Sequence, residues 1–80
     1  MTKEEGQKAF TETWRVMREF ESMDFNNDNW WQQLIYKADM LPEQYQAGSD
    51  CEILRRCLAI GMLQYFTELY RLQKGVRNDL

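Results

Sequence analysis

The sequence predicts an all-α protein, a three-helix bundle with a long, largely buried C-terminal helix. Apolar residues recur at spacings of three and four in three separate stretches, the period of a helix with one buried face. Capping and breaking residues stand at the ends of each stretch. Val, Ile and Thr are scarce while Leu, Met, Gln and Glu are plentiful, which disfavours strands. Eighty residues allow one domain, taken as 1–80, with a small core. Short connections imply that successive helices run roughly antiparallel.

The first helix is expected over about 3–23. Thr2 and Glu5 have capping-box spacing, and Glu4 and Glu5 suit the positive end of a helix dipole. Phe10, Trp14, Met17 and Phe20 or Glu21 follow at helical spacing, with Val16 and Met23 widening the apolar face. Phe10 and Trp14 are therefore assigned to the core. Glu4/Lys8, Lys8/Glu12 and Arg15/Glu19 are opposite charges four apart along this helix.

Asp24–Asn29, DFNNDN, reads as a turn, because Asn and Asp bond their own backbone. Asn27 or Asp28 caps a second helix over about 28–41, in which Trp30, Trp31, Leu34, Ile35, Ala38 and Leu41 form an amphipathic pattern. Pro42 is expected to end it near Met40 or Leu41, since the residue before proline avoids helical geometry. PEQYQ has the makings of one more helical turn.

The third and central helix spans about 50–74. Ser49 and Glu52 form its capping box, and Lys74 and Gly75 close it. Leu54, Leu58, Gly61, Tyr65, Leu69 and Leu72 make one stripe, widened by Ala59, Met62, Leu63, Phe66 and Tyr70. From Cys57 to Phe66 only Gln64 is polar, so this middle part should be covered on most sides. Residues 76–80 are expected to be a mobile tail.

Chemistry-bearing patterns are few. Asp24-x-Asn26-x-Asp28 begins like a calcium loop but has Asn29 where the turn glycine belongs and Ile35 where the bidentate glutamate belongs. Cys51 and Cys57, six apart on one helix, are roughly 10 Å apart and too distant for a disulfide. They are expected to be free thiols, Cys57 in the core and Cys51, in a first helical turn, the more reactive. The chain has no histidine, no phosphate-binding glycine loop and no metal-ligand cluster, so an enzyme is not expected and no cofactor is called for. Arg71, Lys74 and Arg77 form a basic end suited to a helix C-terminus, and Arg55 and Arg56 read as a solvated pair with Glu52. A net charge of −3 argues against a general nucleic-acid binder. The polar opening MTKEEGQK has no signal-peptide pattern, and no apolar run is long enough to span a bilayer, so a cytoplasmic location is expected.

Three Trp, four Phe and four Tyr are many for a chain of this size. Adjacent Trp30 and Trp31 point about 100° apart on a helix, so one of the two should lie at the core margin. Trp30, Trp31, Met62, Phe66 and Tyr70 are expected to form an interaction surface, with Gly61 permitting close backbone approach. The expected function is a non-enzymatic protein–protein interaction module, binding a second copy as a homodimer or docking on a larger protein. A DNA-associated regulator and a carrier of a small hydrophobic ligand are the alternatives.

NNDNWWQQLI (26–35), followed by the leucine-rich helix ending YFTELYRLQKG (65–75), resembles small uncharacterised helical proteins of phages and mobile elements of Gram-positive bacteria. That resemblance implies an accessory or regulatory role through protein contacts and assigns no residue a function.

Overall fold

The computed structural model describes residues 1–75, which form three helices packed against one another, with no strand among the described residues. The expected mobile tail, 76–80, and Arg77 of the basic end lie outside the described residues. Helix α1 spans Lys3–Glu19, α2 Asp28–Glu43 and α3 Asp50–Lys74.

The Thr2 hydroxyl accepts the Glu5 N–H at 3.1 Å while the Glu5 carboxylate accepts the Thr2 N–H at 2.7 Å, a complete capping box. Helix α1 stops at Glu19 and does not run to Met23. Met23 takes a left-handed φ of 52°, which a helix cannot continue through, and the chain turns there to bring Phe25 into the core. Asn27 caps α2 by accepting the Asn29 N–H at 2.9 Å, and its side-chain amide donates to Asp24 at 3.3 Å. The acidic turn thus bonds to itself.

Helix α2 passes through Pro42 to Glu43 instead of ending before it. Burial of Leu41 holds the preceding residue helical, and a proline in the last turn removes only one helical N–H. Ser49 accepts the Glu52 N–H at 3.2 Å, and Glu52 reaches back to the Gly48 N–H at 3.0 Å. Gly75, at φ 72°, closes α3 in the left-handed conformation that glycine adopts without steric penalty.

The core stripes are Ala9–Thr13–Val16–Phe20 on α1, Trp30–Leu34–Ala38–Leu41 on α2, and Arg55–Ala59–Met62–Phe66 on α3. Phe25 joins them from the connector. Trp30 meets the rings of Phe20, Phe25, Trp31 and Phe66 at centroid distances of 5.6, 5.3, 4.9 and 5.4 Å, all nearly edge-to-face. Thr13 is buried with its hydroxyl donating to the Ala9 carbonyl at 2.9 Å. Helix α3 therefore buries one stripe and leaves its remaining circumference half-buried or exposed.

Arg55 departs most from expectation. It is buried, not solvated, and its guanidinium pairs with Glu12 across the α1–α3 interface, 4.4 Å over the Tyr45 ring. Arg56, by contrast, makes the expected bond to Glu52 at 2.8 Å. Glu12 and Glu19, which the sequence pairs along α1, reach instead to Arg55 and, at 3.6 Å, to Lys37.

Removing one member of a buried ion pair strands the other. Glu12→Ala is expected to destabilise the fold by about 2–3 kcal/mol, reduced from the fully buried range because Glu12 is partly exposed. Chemical denaturation measures it, with Glu4→Ala as the surface control expected within about 0.5 kcal/mol.

Three helix-start carboxyls should make stability acid-sensitive. The Thr2 backbone N–H holds Glu5 below its ordinary 4.5, the Met1 ammonium holds Asp50 below 3.8, and the Arg56 guanidinium holds Glu52 below 4.5. Depressed carboxyls stabilise the fold above their ordinary values, and that contribution is lost as pH falls through them. The melting temperature should drop as pH is lowered from about 5 to about 3, and Glu52→Gln should show a smaller drop. An equal drop in the variant would mean that Glu52 contributes nothing.

Candidate functional site

Helix α1 faces the core with Ala9, Thr13 and Val16, which turns its largest rings sideways. Phe10 and Trp14 are 58% and 56% exposed, so neither is the core residue its spacing suggests. Opposite them α3 presents Leu58, Gly61 and Tyr65, the last 45% exposed. Between the two helices lies an open groove of about 510 Å³, with Met17 and Met62 at its floor and Cys57 at its edge. The apolar lining continues past Trp14 and Tyr65 to Met23, where the Arg18–Glu21 ion pair borders it.

The groove follows from the sequence at the level of register. On α1 the wall Phe10–Trp14–Met17 lies one residue beyond the core stripe, a rotation of about 100°. On α3 the wall Leu54–Leu58–Gly61–Tyr65 lies one residue before it. These are the stripes that the sequence singles out for the core. On α1 the packed interior uses smaller residues instead and the large ones line its flank, whereas on α3 it takes Arg55, Ala59, Met62 and Phe66.

The surface expected from the sequence is not where the exposed apolar groups are. Trp30, Met62 and Phe66 are buried within the chain, so they are unavailable to a partner. Trp31 and Tyr70 are half-buried at the end of the core, Trp31 stacked on Phe25 and Tyr70 edge-on to it, at centroid distances of 5.7 Å each. Of the tryptophan pair it is Trp31 that lies at the margin, its indole N–H donating to the Phe25 carbonyl at 2.8 Å. The Trp30 indole N–H is buried without a hydrogen-bond partner.

The cysteines also exchange roles. Cys57, expected in the core, is exposed beside the groove. Cys51, expected to be the more reactive, has its thiol pushed up by burial and by the negative charges of Glu5 and Asp50. Both thiols are free. Among the described residues no three His, Cys, Asp or Glu side chains converge on a common point, and no helix is long and apolar enough to cross a membrane.

A second hollow, of about 370 Å³, is lined by charges of both signs from Glu12, Arg15, Glu19, Lys37 and Arg55. Glu12 pairs there with Arg55 and Glu19 with Lys37, which makes it a structural seam. The groove beside Trp14 offers open apolar area in a concave setting, while Ile35, Tyr36 and Met40 are exposed separately on α2. Comparisons with protein-family models, curated proteins and solved structures give no match.

The two aromatic classes should separate cleanly on substitution. Phe66→Glu places a carboxylate in a site 1% exposed and is expected to unfold the protein, at a cost of about 4 kcal/mol or more. Trp14→Ser should change stability by less than about 1 kcal/mol. Thermal melts followed by circular dichroism test both, and a folded Phe66→Glu variant would return Phe66 to the candidate surface.

Proposed function

We propose that this chain is a non-enzymatic protein–protein interaction module that works through the apolar α1–α3 face. The observation that carries this reading is the exposure of Phe10, Trp14 and Tyr65 around a groove floored by Met17 and Met62. Continuous apolar surface of this kind on a small domain marks a place where another surface is received. A groove between two helices suits a partner helix laid along it, with large side chains as anchors. Trp and Tyr are also the residue types that dominate binding energy at interfaces.

The chemistry of the face supports binding better than catalysis. Its lining offers the Thr13 hydroxyl, already bonded to Ala9, the Trp14 indole N–H, the Tyr65 phenol and the Cys57 thiol, with no carboxylate or cation to pair with them in acid–base work or to hold a phosphate. DNA binding lacks a basic surface to build on, with ten cationic against thirteen acidic side chains in the chain. An accessory role among phage or mobile-element proteins is in keeping with the likeness of NNDNWWQQLI and YFTELYRLQKG noted above.

A photoreactive benzoyl-phenylalanine at position 14 tests the reading in the cells that make the protein. A discrete cross-linked species is expected from position 14 and none from position 8, where Lys8 is exposed on the polar side of α1. No discrete product, or the same products from both positions, would refute it.

A further inference from the structure

Which partner the face takes can be read from α3. Beside the groove wall a second exposed stripe, Ile53–Cys57–Ile60–Gln64, runs along the outside of the helix at spacings of four, three and four. Ile53 and Ile60 are 42% and 57% exposed. Within the groove wall, on the side toward this second stripe, sits Gly61, in the middle of a 25-residue helix. A glycine there weakens the helix relative to alanine. Nothing in the monomer explains it, because a Cβ built at Gly61 meets no atom within 4 Å. A small residue on an open apolar helix face is what close approach of another helix requires.

We propose that the occupant of this face is a second copy of the chain, packed about a two-fold axis at Gly61 with the two α3 helices antiparallel; this rests on the interaction reading and names its partner. The face supplies both halves of such a contact, since Trp14 and Tyr65 project from it while Gly61 leaves a gap. An isologous interface needs that self-complementarity.

Charge sets the direction. The first turn of α3 is acidic, with Asp50 and Glu52, and the last turn basic, with Arg71 and Lys74; Asp50, Glu52 and Arg71 also pair within their own chain, with the Met1 ammonium, Arg56 and Glu68. Residues 50 and 71 lie eleven and ten positions either side of Gly61, so an antiparallel crossing brings the acidic end of each helix to the basic end of the other. The helix dipoles are opposed favourably in the same arrangement. A parallel pairing would set like against like at both ends.

The area is also sufficient. A full aromatic side chain offers about 150–250 Å², so the exposed parts of Phe10, Trp14 and Tyr65 with Ile53 come to roughly 350 Å² per chain. Two copies contribute about 700 Å² of apolar surface. At the roughly 60% apolar share of ordinary interfaces, that corresponds to about 1,200 Å² in all, at the lower end of the size range of stable complexes.

Light scattering over a range of concentrations tests the proposal on wild type and Gly61→Leu. Wild type should have twice the chain mass. Gly61→Leu should melt at the same temperature or higher as a monomer, because its side chain enters open space and improves helix propensity, yet dimerise at least tenfold more weakly. In a background free of Cys51 and Cys57, Gly61→Cys should form a disulfide-linked dimer under mild oxidation. Ile53→Cys should not, since an antiparallel crossing puts those residues roughly 24 Å apart along the axis whereas a parallel one brings them together. Dimerisation unaffected by Gly61→Leu, or efficient linking through Ile53→Cys, would overturn the arrangement. A monomeric wild type would overturn the second copy as partner. A cross-link from position 14 to a different protein would then leave the interaction reading standing, and its absence would remove both.

Discussion

Trp30 has to be enclosed, and much of the chain's path serves that need. A buried indole of this size cannot be covered by two helices alone, and the third ring wall comes from Phe25, which no helix carries. Bringing Phe25 inward forces α1 to stop at Glu19, sends Met23 into the left-handed region and ties Asp24 to Asn27. The carbonyl of Phe25 in turn accepts the Trp31 indole, so the second tryptophan anchors the loop that covers the first. Phe66 and Tyr70 extend the aromatic cluster along α3. Aromatic packing of this kind contributes on the order of 1 kcal/mol per pair beyond area burial, which offsets part of the conformational entropy of ordering the connector.

At the other end of the bundle the interior is made of small residues and one charge. Ala9, Thr13 and Ala59 keep the α1–α3 interface thin, and Arg55 fills the remaining space with its stem while Glu12 and Tyr45 satisfy its head. A fully buried arginine is tolerated only with such partners. The pair also fixes rotation: turning α3 by one residue would bring Leu54 inward and strand Arg55 on a different neighbour. The exposed apolar face is a consequence of this register, because the same rotation that buries Arg55 turns Leu58, Gly61 and Tyr65 outward.

This also explains what could and could not be read from the amino acids. Helix number, caps and the acidic turn were legible, since Thr2, Asn27, Ser49 and Gly75 act through local hydrogen bonds and φ preferences that need no tertiary context. The core of α2 was legible because Trp30, Leu34, Ala38 and Leu41 are its apolar stripe on any reading. The rotation of α1 and α3 was not. Each carries two adjacent stripes, and reading the more apolar one inward gives Phe10–Trp14–Met17 and Leu54–Leu58–Gly61–Tyr65. The folded protein buries the other, Ala9–Thr13–Val16 and Arg55–Ala59–Met62–Phe66, because close approach on α1 and the Arg55–Glu12 pair on α3 outweigh local hydrophobicity. The candidate surface was missed for the same reason: the residues that line it had been assigned to the interior.

Helix α3 shows why the face matters for function. Its middle, from Cys57 to Phe66, has Gln64 as its one polar side chain, a composition suited to cover on most sides. Within one chain α1 and α2 cover only the Arg55–Ala59–Met62–Phe66 stripe, and the other two apolar stripes stay partly or wholly open. Selection for solubility alone would have favoured Lys or Glu at positions 53, 57 and 60, where the chain has Ile, Cys and Ile, all exposed. Apolar side chains retained on an exposed helix face, next to a glycine that weakens that helix, make sense together only if something covers both. A second α3, with its own Gly61 at the crossing point, would do so symmetrically.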